Sequence, residues 1–328
     1  MIEERTSGGA TCALHRFAMF AAGATLCLVF VGGLVTSTGS ALAVPDWPLA
    51  FGKLIPAWQG GIRFEFGHRV VAGLVIILTL GLMIWVFLVE RRRWVRTTAL
   101  AAFGLIVVQA VLGGITVLFE LPLVIAVMHA ATAQAFFCVM VAIAIFTNPR
   151  WEQTAPADEA ATRPPLAALA AITTGAIYAQ ILVGALMRHL GAGLAIPDFP
   201  LAFGQLVPPY WNEFIVVNFV HRVGAFVVSA MIIWTVARVL RSQSEYPELR
   251  RPALALILLL MLQVSLGALT IWSQRAVLPT TSHVAIGAAV LATSLTLTIR
   301  AYHSFGWARR GERLGASNMP IVAQRVSA

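Results

Sequence analysis

Charge is scarce in this chain. Asp, Glu, Lys and Arg make up 11% of its 328 residues, against about 25% in an ordinary soluble protein. That is too little to coat a water-soluble fold of this length, and it excludes disorder and a charge-laced coiled coil. Cysteine is scarcer still. Cys12, Cys27 and Cys138 form no CxxC and no CxxCH, which excludes a disulfide scaffold and covalently attached c-type haem. Acidic residues are the rarer sign, and the net charge is +9. A basic balance can point to nucleic acid. Here most arginines sit at the ends of apolar runs, so membrane topology explains them and no nucleic-acid partner is expected.

What the chain has in excess is apolar residues, at 59%. They lie in runs of about 20, the length that crosses a bilayer. The expected fold class is all-α integral membrane. Eight spans are expected, at about 17–37, 69–89, 98–118, 122–146, 165–187, 215–237, 253–272 and 279–299. Nothing like a cleaved signal peptide precedes the first span, which is expected to be retained. Of the 23 Lys and Arg, only Lys53, Arg63, Arg69, Arg188, Arg222 and Arg275 fall outside if both termini are cytoplasmic. Two outer loops are long, 38–68 and 188–214. The polar, Pro-rich stretch 147–164 reads as a cytoplasmic linker, and the basic stretch after Tyr302 is expected to fray into solvent.

The chain repeats itself. AVPDWPLAFGKLIP at 43–56 returns as AIPDFPLAFGQLVP at 195–208, an offset of 152. FGHRV at 66–70 matches FVHRV at 219–223, and QAVLGGITVL at 109–118 matches QVSLGALTIW at 263–272, at offsets of 153 and 154. His129 matches His283, also at 154. Four spans per repeat keep both copies in one orientation. The expected architecture is therefore two parallel-repeat four-helix bundles, residues 1–150 and 151–328. An inverted repeat would need an odd number of spans.

His15, His189 and His303 lie at span boundaries and read as ordinary interfacial residues. His68, His129, His221 and His283 instead open the even spans, all in the outer part of the bilayer. His129 is roughly 10 Å deep at 1.5 Å per residue. A lone membrane histidine is usually a hydrogen-bonded packing residue. Four at matching depth, two per repeat, point to function. Zinc needs three or four protein ligands, whereas haem iron needs two axial ones. Two haem sites, one per repeat, are the economical reading, with each iron bound by two histidines or open to them. Arg69 and Arg222 follow His68 and His221 directly; they either pair haem propionates or simply snorkel to the interface.

The repeat breaks at Glu65, three residues before His68, where the second copy has Asn218. A carboxylate against an amide suggests different jobs for the two sites; the plainer alternative is that Glu65 pairs Arg63 or Arg69 at the surface. The PDWPLAFG and PDFPLAFG loops read as lids over the sites, or as interface anchors through Trp47 and Phe199. Gln109, Gln263, Thr116, Thr270, Gly113 and Gly267 recur at matching positions and are expected to serve helix packing.

TSTGSALAVPDWPLAFGKLIP, EFGHR and His129, returning as GAGLAIPDFPLAFGQLVP, NFVHR and His283, resemble the haem A synthase family over about 17–300. The resemblance implies an eight-helix oxidoreductase of two four-helix repeats in the bacterial cytoplasmic membrane, with haem sites toward the outer side. It implies oxidation of the C8 methyl of haem O to a formyl group through a hydroxymethyl stage, for terminal oxidase biogenesis. It further implies haem b at His221 and His283, substrate haem at His68 and His129, and a chemical role for Glu65. Haem O synthase, terminal oxidase assembly proteins and an unidentified electron donor are the partners it suggests. Some members carry a cysteine pair flanking PDWPL; here Val44 and Ala50, and Ile196 and Ala202, stand there, so that loop has no redox role. The competing readings are an electron-transferring membrane cytochrome b and a haem carrier or assembly factor. The one-sided Glu65 favours the enzyme.

Overall fold

The computed structural model describes residues 2–151 and 163–317. Eight α-helices run through them in chain order: α1 (Ile2–Ser37), α2 (Ile62–Val89), α3 (Arg93–Leu118), α4 (Leu123–Phe146), α5 (Leu166–His189), α6 (Glu213–Ser242), α7 (Pro247–Trp272) and α8 (Val277–Ser317). Among the described residues there is no β-strand, and the expected all-helical fold class is observed. Each helix is long and apolar enough to cross a bilayer. Large apolar side chains point outward, with Leu88 78% and Phe226 75% exposed. Water would not tolerate so much of this surface, whereas lipid does. The chain is an integral membrane protein.

The expected spans fall short of several helices: α1, α2, α3 and α7 begin earlier, and α6 and α8 end later. α2 begins at Ile62, ahead of Arg63 and Glu65, and α7 begins at Pro247, ahead of Glu248, Arg250 and Arg251. These first turns are too polar to read as membrane, yet they continue the helix. Consequently Glu65, His68 and Arg69 share one helix. Most of the expected linker at 147–164 lies outside the described residues. The stretch after Tyr302 continues α8 as far as Ser317, where fraying was expected; the residues beyond lie outside the described part.

Two cores form. One gathers Leu14, Leu82, Ile106, Phe136 and Met140 from α1 to α4. The other gathers Leu166, Ile232, Leu256 and Leu291 from α5 to α8. α1 and α8 pack together, as do α4 with α5 and α4 with α8, so these four helices join the two cores.

The α3–α4 and α7–α8 turns are alike. Glu120 and Leu121 have φ of 55° and 62°, and Gln274 and Arg275 have φ of 53° and 66°. Non-glycine residues rarely adopt this left-handed region. Here the amides of Leu121 and Arg275 anchor it by donating to Thr116 O (2.7 Å) and Thr270 O (2.8 Å).

Candidate functional site: four imidazoles on four glycines

Each of the four span-opening histidines rests on a glycine of the preceding helix. A Cβ built on Gly32 of α1 would lie 3.1 Å from His68 Cε1, and one on Gly113 of α3 would lie 3.1 Å from His129 Cε1. On Gly184 of α5 it would lie 2.9 Å from His221 Cε1, and on Gly267 of α7 it would lie 3.1 Å from His283 Cε1. In all four the Cε1–Nδ1 edge faces the glycine, and Nε2 is the more distant nitrogen, 3.9 to 4.0 Å from the built Cβ. His68 lies within electrostatic reach of His129, and His221 of His283. Among the described residues, no three His, Cys, Asp or Glu side chains come together as a metal cluster.

The polar partners of the rings differ. Gln109 Nε2 lies 3.3 Å from His129 Nε2, and Gln263 Nε2 lies 3.4 Å from His283 Nε2. An amide N–H can only donate, so each approaches an imidazole lone pair. These glutamines, expected to be packing residues, touch the rings. His283 Nδ1 also meets Gln263 O at 3.1 Å, which places its proton on Nδ1. Nδ1 of His68 is buried without a hydrogen-bond partner.

His221 is held differently. Gln180 Nε2 donates to His221 Nδ1 at 3.0 Å and to His221 O at 2.7 Å. Its Oε1 occupies the place where a side chain on residue 224 would begin, so Gly224 is required. Leu28 and Val71 stand at the matching positions near His68 and belong to the apolar core. His68 has no such amide.

The loops are tied to the site by the residues beside the histidines. Glu65 is 4% exposed, not a surface charge. Its Oε2 accepts from Val44 N (2.8 Å) and its Oε1 from Arg69 Nη2 (2.7 Å). Arg69 also donates to Asp46 O (2.7 Å), Leu49 O (2.9 Å) and Val44 O (3.2 Å). At the matching place Asn218 Nδ2 donates to Ala192 O (2.9 Å) and Gly193 O (3.2 Å), and its Oδ1 accepts from Arg222 Nε (2.9 Å). Arg222 reaches Leu201 O and Ile196 O, at 2.8 and 2.9 Å. Both arginines therefore serve loop carbonyls. Val44, Ala50, Ile196 and Ala202 are buried beneath the loops.

Inside each loop an aspartate closes the turn. Asp46 accepts from Phe51 N and Gly52 N at 2.7 and 2.8 Å, and Asp198 from Phe203 N and Gly204 N at 2.8 and 2.7 Å. These amides hold both carboxyls below the ordinary carboxylate range, chiefly through Gly52 for Asp46 and Gly204 for Asp198. The Trp47 ring lies on Gly114, where a Cβ would meet it at 2.7 Å. The smaller Phe199 faces α7 at the matching place and packs edge-on against Trp272.

The remaining histidines are scattered. His15 Nδ1 bonds Ala144 O at 2.9 Å, and His303 stacks on Trp151 at 3.9 Å. His189 is the last residue of α5. Gly32 and Gly184 were legible in principle, since both match at an offset of 152. Gln180 was not, because its partner is 41 residues away and its counterpart is an apolar Leu28.

The site's sequence surroundings recur in known proteins. The family model described as cytochrome oxidase assembly protein matches residues 62–295. A protein of Symbiobacterium thermophilum named heme A synthase is 34% identical over 253 residues, 74% of this chain and 81% of that one. Proteins of the same name from Staphylococcus haemolyticus and Staphylococcus aureus are 31% and 30% identical; each alignment covers 76% of this chain and 83% of the relative. The chain belongs to the COX15-CtaA family of cytochrome oxidase assembly proteins.

Proposed function

We propose that the four histidines hold two haems: substrate haem O at His68 and His129, and a resident haem b at His221 and His283. The chain is a haem A synthase, an oxidoreductase acting on haem in cytochrome oxidase assembly. The single observation that carries the two-haem reading is the fourfold histidine-on-glycine contact. It provides two imidazoles among α1 to α4 and two among α5 to α8, each with its Cε1–Nδ1 edge on a glycine; Gln109 and Gln263 must release Nε2 of His129 and His283 for iron to bind there. Two nitrogen donors suit an iron already held by a macrocycle. The two groups of four helices, residues 1–150 and 151–328, are in this reading a substrate unit and an electron-transfer unit, related by an axis along the membrane normal.

A bound haem b supplies single-electron transfer. The chain's own residues position and polarise. The Gln263 carbonyl orients His283 through Nδ1 and leaves Nε2 as the nitrogen without a proton. Arg69 and Arg222 act on the haem sites through the loops they hold. Glu65 has donors on both oxygens, the arrangement of a carboxylate anion, and it sets negative charge beside the substrate site. A proton taken up at Oε1 or Oε2 displaces Arg69 or the Val44 amide, which couples proton transfer to the loop. In this reading the protein lies in the bacterial cytoplasmic membrane, both termini cytoplasmic and the haem sites toward the outer side. Haem O synthase supplies its substrate, and oxidase assembly proteins take its product.

Pyridine haemochrome analysis of the chain purified from cells that make haem O tests the reading. Haem b together with haem A supports it. Haem b alone, with haem O untouched, leaves an electron-transfer cytochrome.

A further inference from the structure

Arg188 lies one turn beyond Gly184 on α5, so it shares a helix face with the residue that carries the His221 ring. Its Nη2 donates to Gly33 O (2.9 Å) and Ser37 Oγ (2.7 Å) of α1. Its Nε is buried with no acceptor. Arg275 sits on the α7–α8 turn, its backbone fixed in the left-handed region by the bond to Thr270 O, and its side chain runs past Gly193. The Arg188 charge is near enough to act on both Arg275 and the His283 ring. Among the described residues the ion pairs are Glu65–Arg69 and Glu90–Arg92, and neither involves these two guanidiniums.

Two neighbouring cations without an anion, one of them largely buried, are unfavourable. A guanidinium has five N–H donors, and the strut to α1 uses only Nη2. The first four helices have no such pair: Thr36 and Leu121 stand at the matching positions. The acids run the other way, for Glu65 and Glu120 of the first group correspond to Asn218 and Gln274 of the second. The His221–His283 end has thus exchanged two carboxylates for amides and gained two arginines. Arg222 is already committed to Asn218 and to two loop carbonyls.

We propose that Arg188 and Arg275 bind a propionate carboxylate of the haem held by His221 and His283, a clamp that the His68–His129 site lacks. The proposal rests on the haem assignment above. It gives the asymmetry a purpose. A resident haem is retained by a charge-assisted carboxylate contact, whereas a substrate haem must enter and its product must leave.

The test compares haem loss to excess apomyoglobin from chains produced in haem-deficient cells and loaded with protohaem or with its dimethyl ester, whose propionates carry no charge. Wild type should release the ester about 10-fold faster or more. In Arg188→Gln/Arg275→Gln, protohaem should leave at the ester's rate and the discrimination should vanish. Ser37→Ala, which removes one end of the Arg188 strut but no charge, should keep the wild-type ratio. If the double variant does not load, Arg275→Gln alone, on an exposed turn, must narrow the ratio. Equal release of the two haems by wild type, or wild-type discrimination in the arginine variants, overturns the clamp. A haem spectrum that survives in both His221→Ala and His283→Ala overturns the underlying haem assignment instead.

Discussion

Glu65 and Asn218 stand at matching places in the chain but grip their loops in opposite senses. Glu65 accepts the Val44 amide at 2.8 Å, whereas Asn218 donates to the Ala192 carbonyl at 2.9 Å. Both also take a bond from the arginine four residues on. The difference is one of charge: a buried carboxylate–guanidinium pair in one site, an amide–guanidinium contact in the other. Removing one member of a buried pair leaves the other uncompensated.

Glu65→Gln keeps the side chain's shape but leaves Arg69 without its counter-charge and sets an amide N–H against a donor, so the first loop should loosen while the haem b of the last four helices is kept. Oxidation of haem O should fall by roughly 10²-fold or more, the usual scale for a positioned acid–base group. Asn218→Ala should be much milder. The ratio of haem A to haem O in cells that make haem O is the measurement. Conversion near the wild-type rate in Glu65→Gln reduces Glu65 to a loop tie, and a larger loss in Asn218→Ala reverses the assignment of the two sites.

His221→Ala and His283→Ala should each abolish the low-spin haem b spectrum of the purified chain, because each removes one of two axial ligands. Retention of a normal bis-histidine spectrum in both variants refutes the assignment.

Glycine substitutions separate support of the rings from ordinary packing. Gly184→Ala puts a methyl 2.9 Å from His221 Cε1, and Gly32→Ala puts one 3.1 Å from His68 Cε1. Either must push the imidazole aside, at about 1–3 kcal/mol for an overpacked contact. Gly184→Ala should lower haem b occupancy per chain. Gly104→Ala and Gly175→Ala meet nothing within 4 Å and should leave it unchanged. Equal occupancy in Gly184→Ala and Gly175→Ala denies the glycine its supporting role.

Acid should open the two loops. Asp46 and Asp198 have their carboxyls held below the ordinary range by loop amides. A depressed folded value contributes stability that is complete above the unfolded value, about pH 4, and is lost as pH falls through the folded one. Hydrogen exchange at the Gly52 and Gly204 amides should be flat from pH 7 to about pH 5, once the intrinsic rate is corrected, and should lose protection only below about pH 4. Loss of protection near pH 6 assigns the loop closure to some other group.

Sidedness can be read with reporter fusions. Fusions after Arg93 and after Arg250 should report cytoplasm, and fusions within 190–210 should report the outer side. One reversed result breaks the topology.

The eight spans, the repeat and the four histidines were legible in the sequence because each is local. Apolar runs of fixed length declare a membrane helix by themselves, and a repeat preserves spacing. The charged first turn of α2 was legible only as a condition, because Arg63 and Glu65 interrupt the apolar signal: Glu65 and His68 share a face if the helix starts early, and it does. Only the tertiary structure showed Glu65 buried against Val44, 21 residues away, and Arg69 bound to loop carbonyls. The same holds for Gln180 on His221 and for Arg188 reaching Gly33, 155 residues earlier. A side chain's hydrogen-bond partners are chosen by which helices pack together, and no local pattern encodes that choice. The sequence by itself determined which residues are chemically capable and which spans carry them; helix packing decided which of them meet.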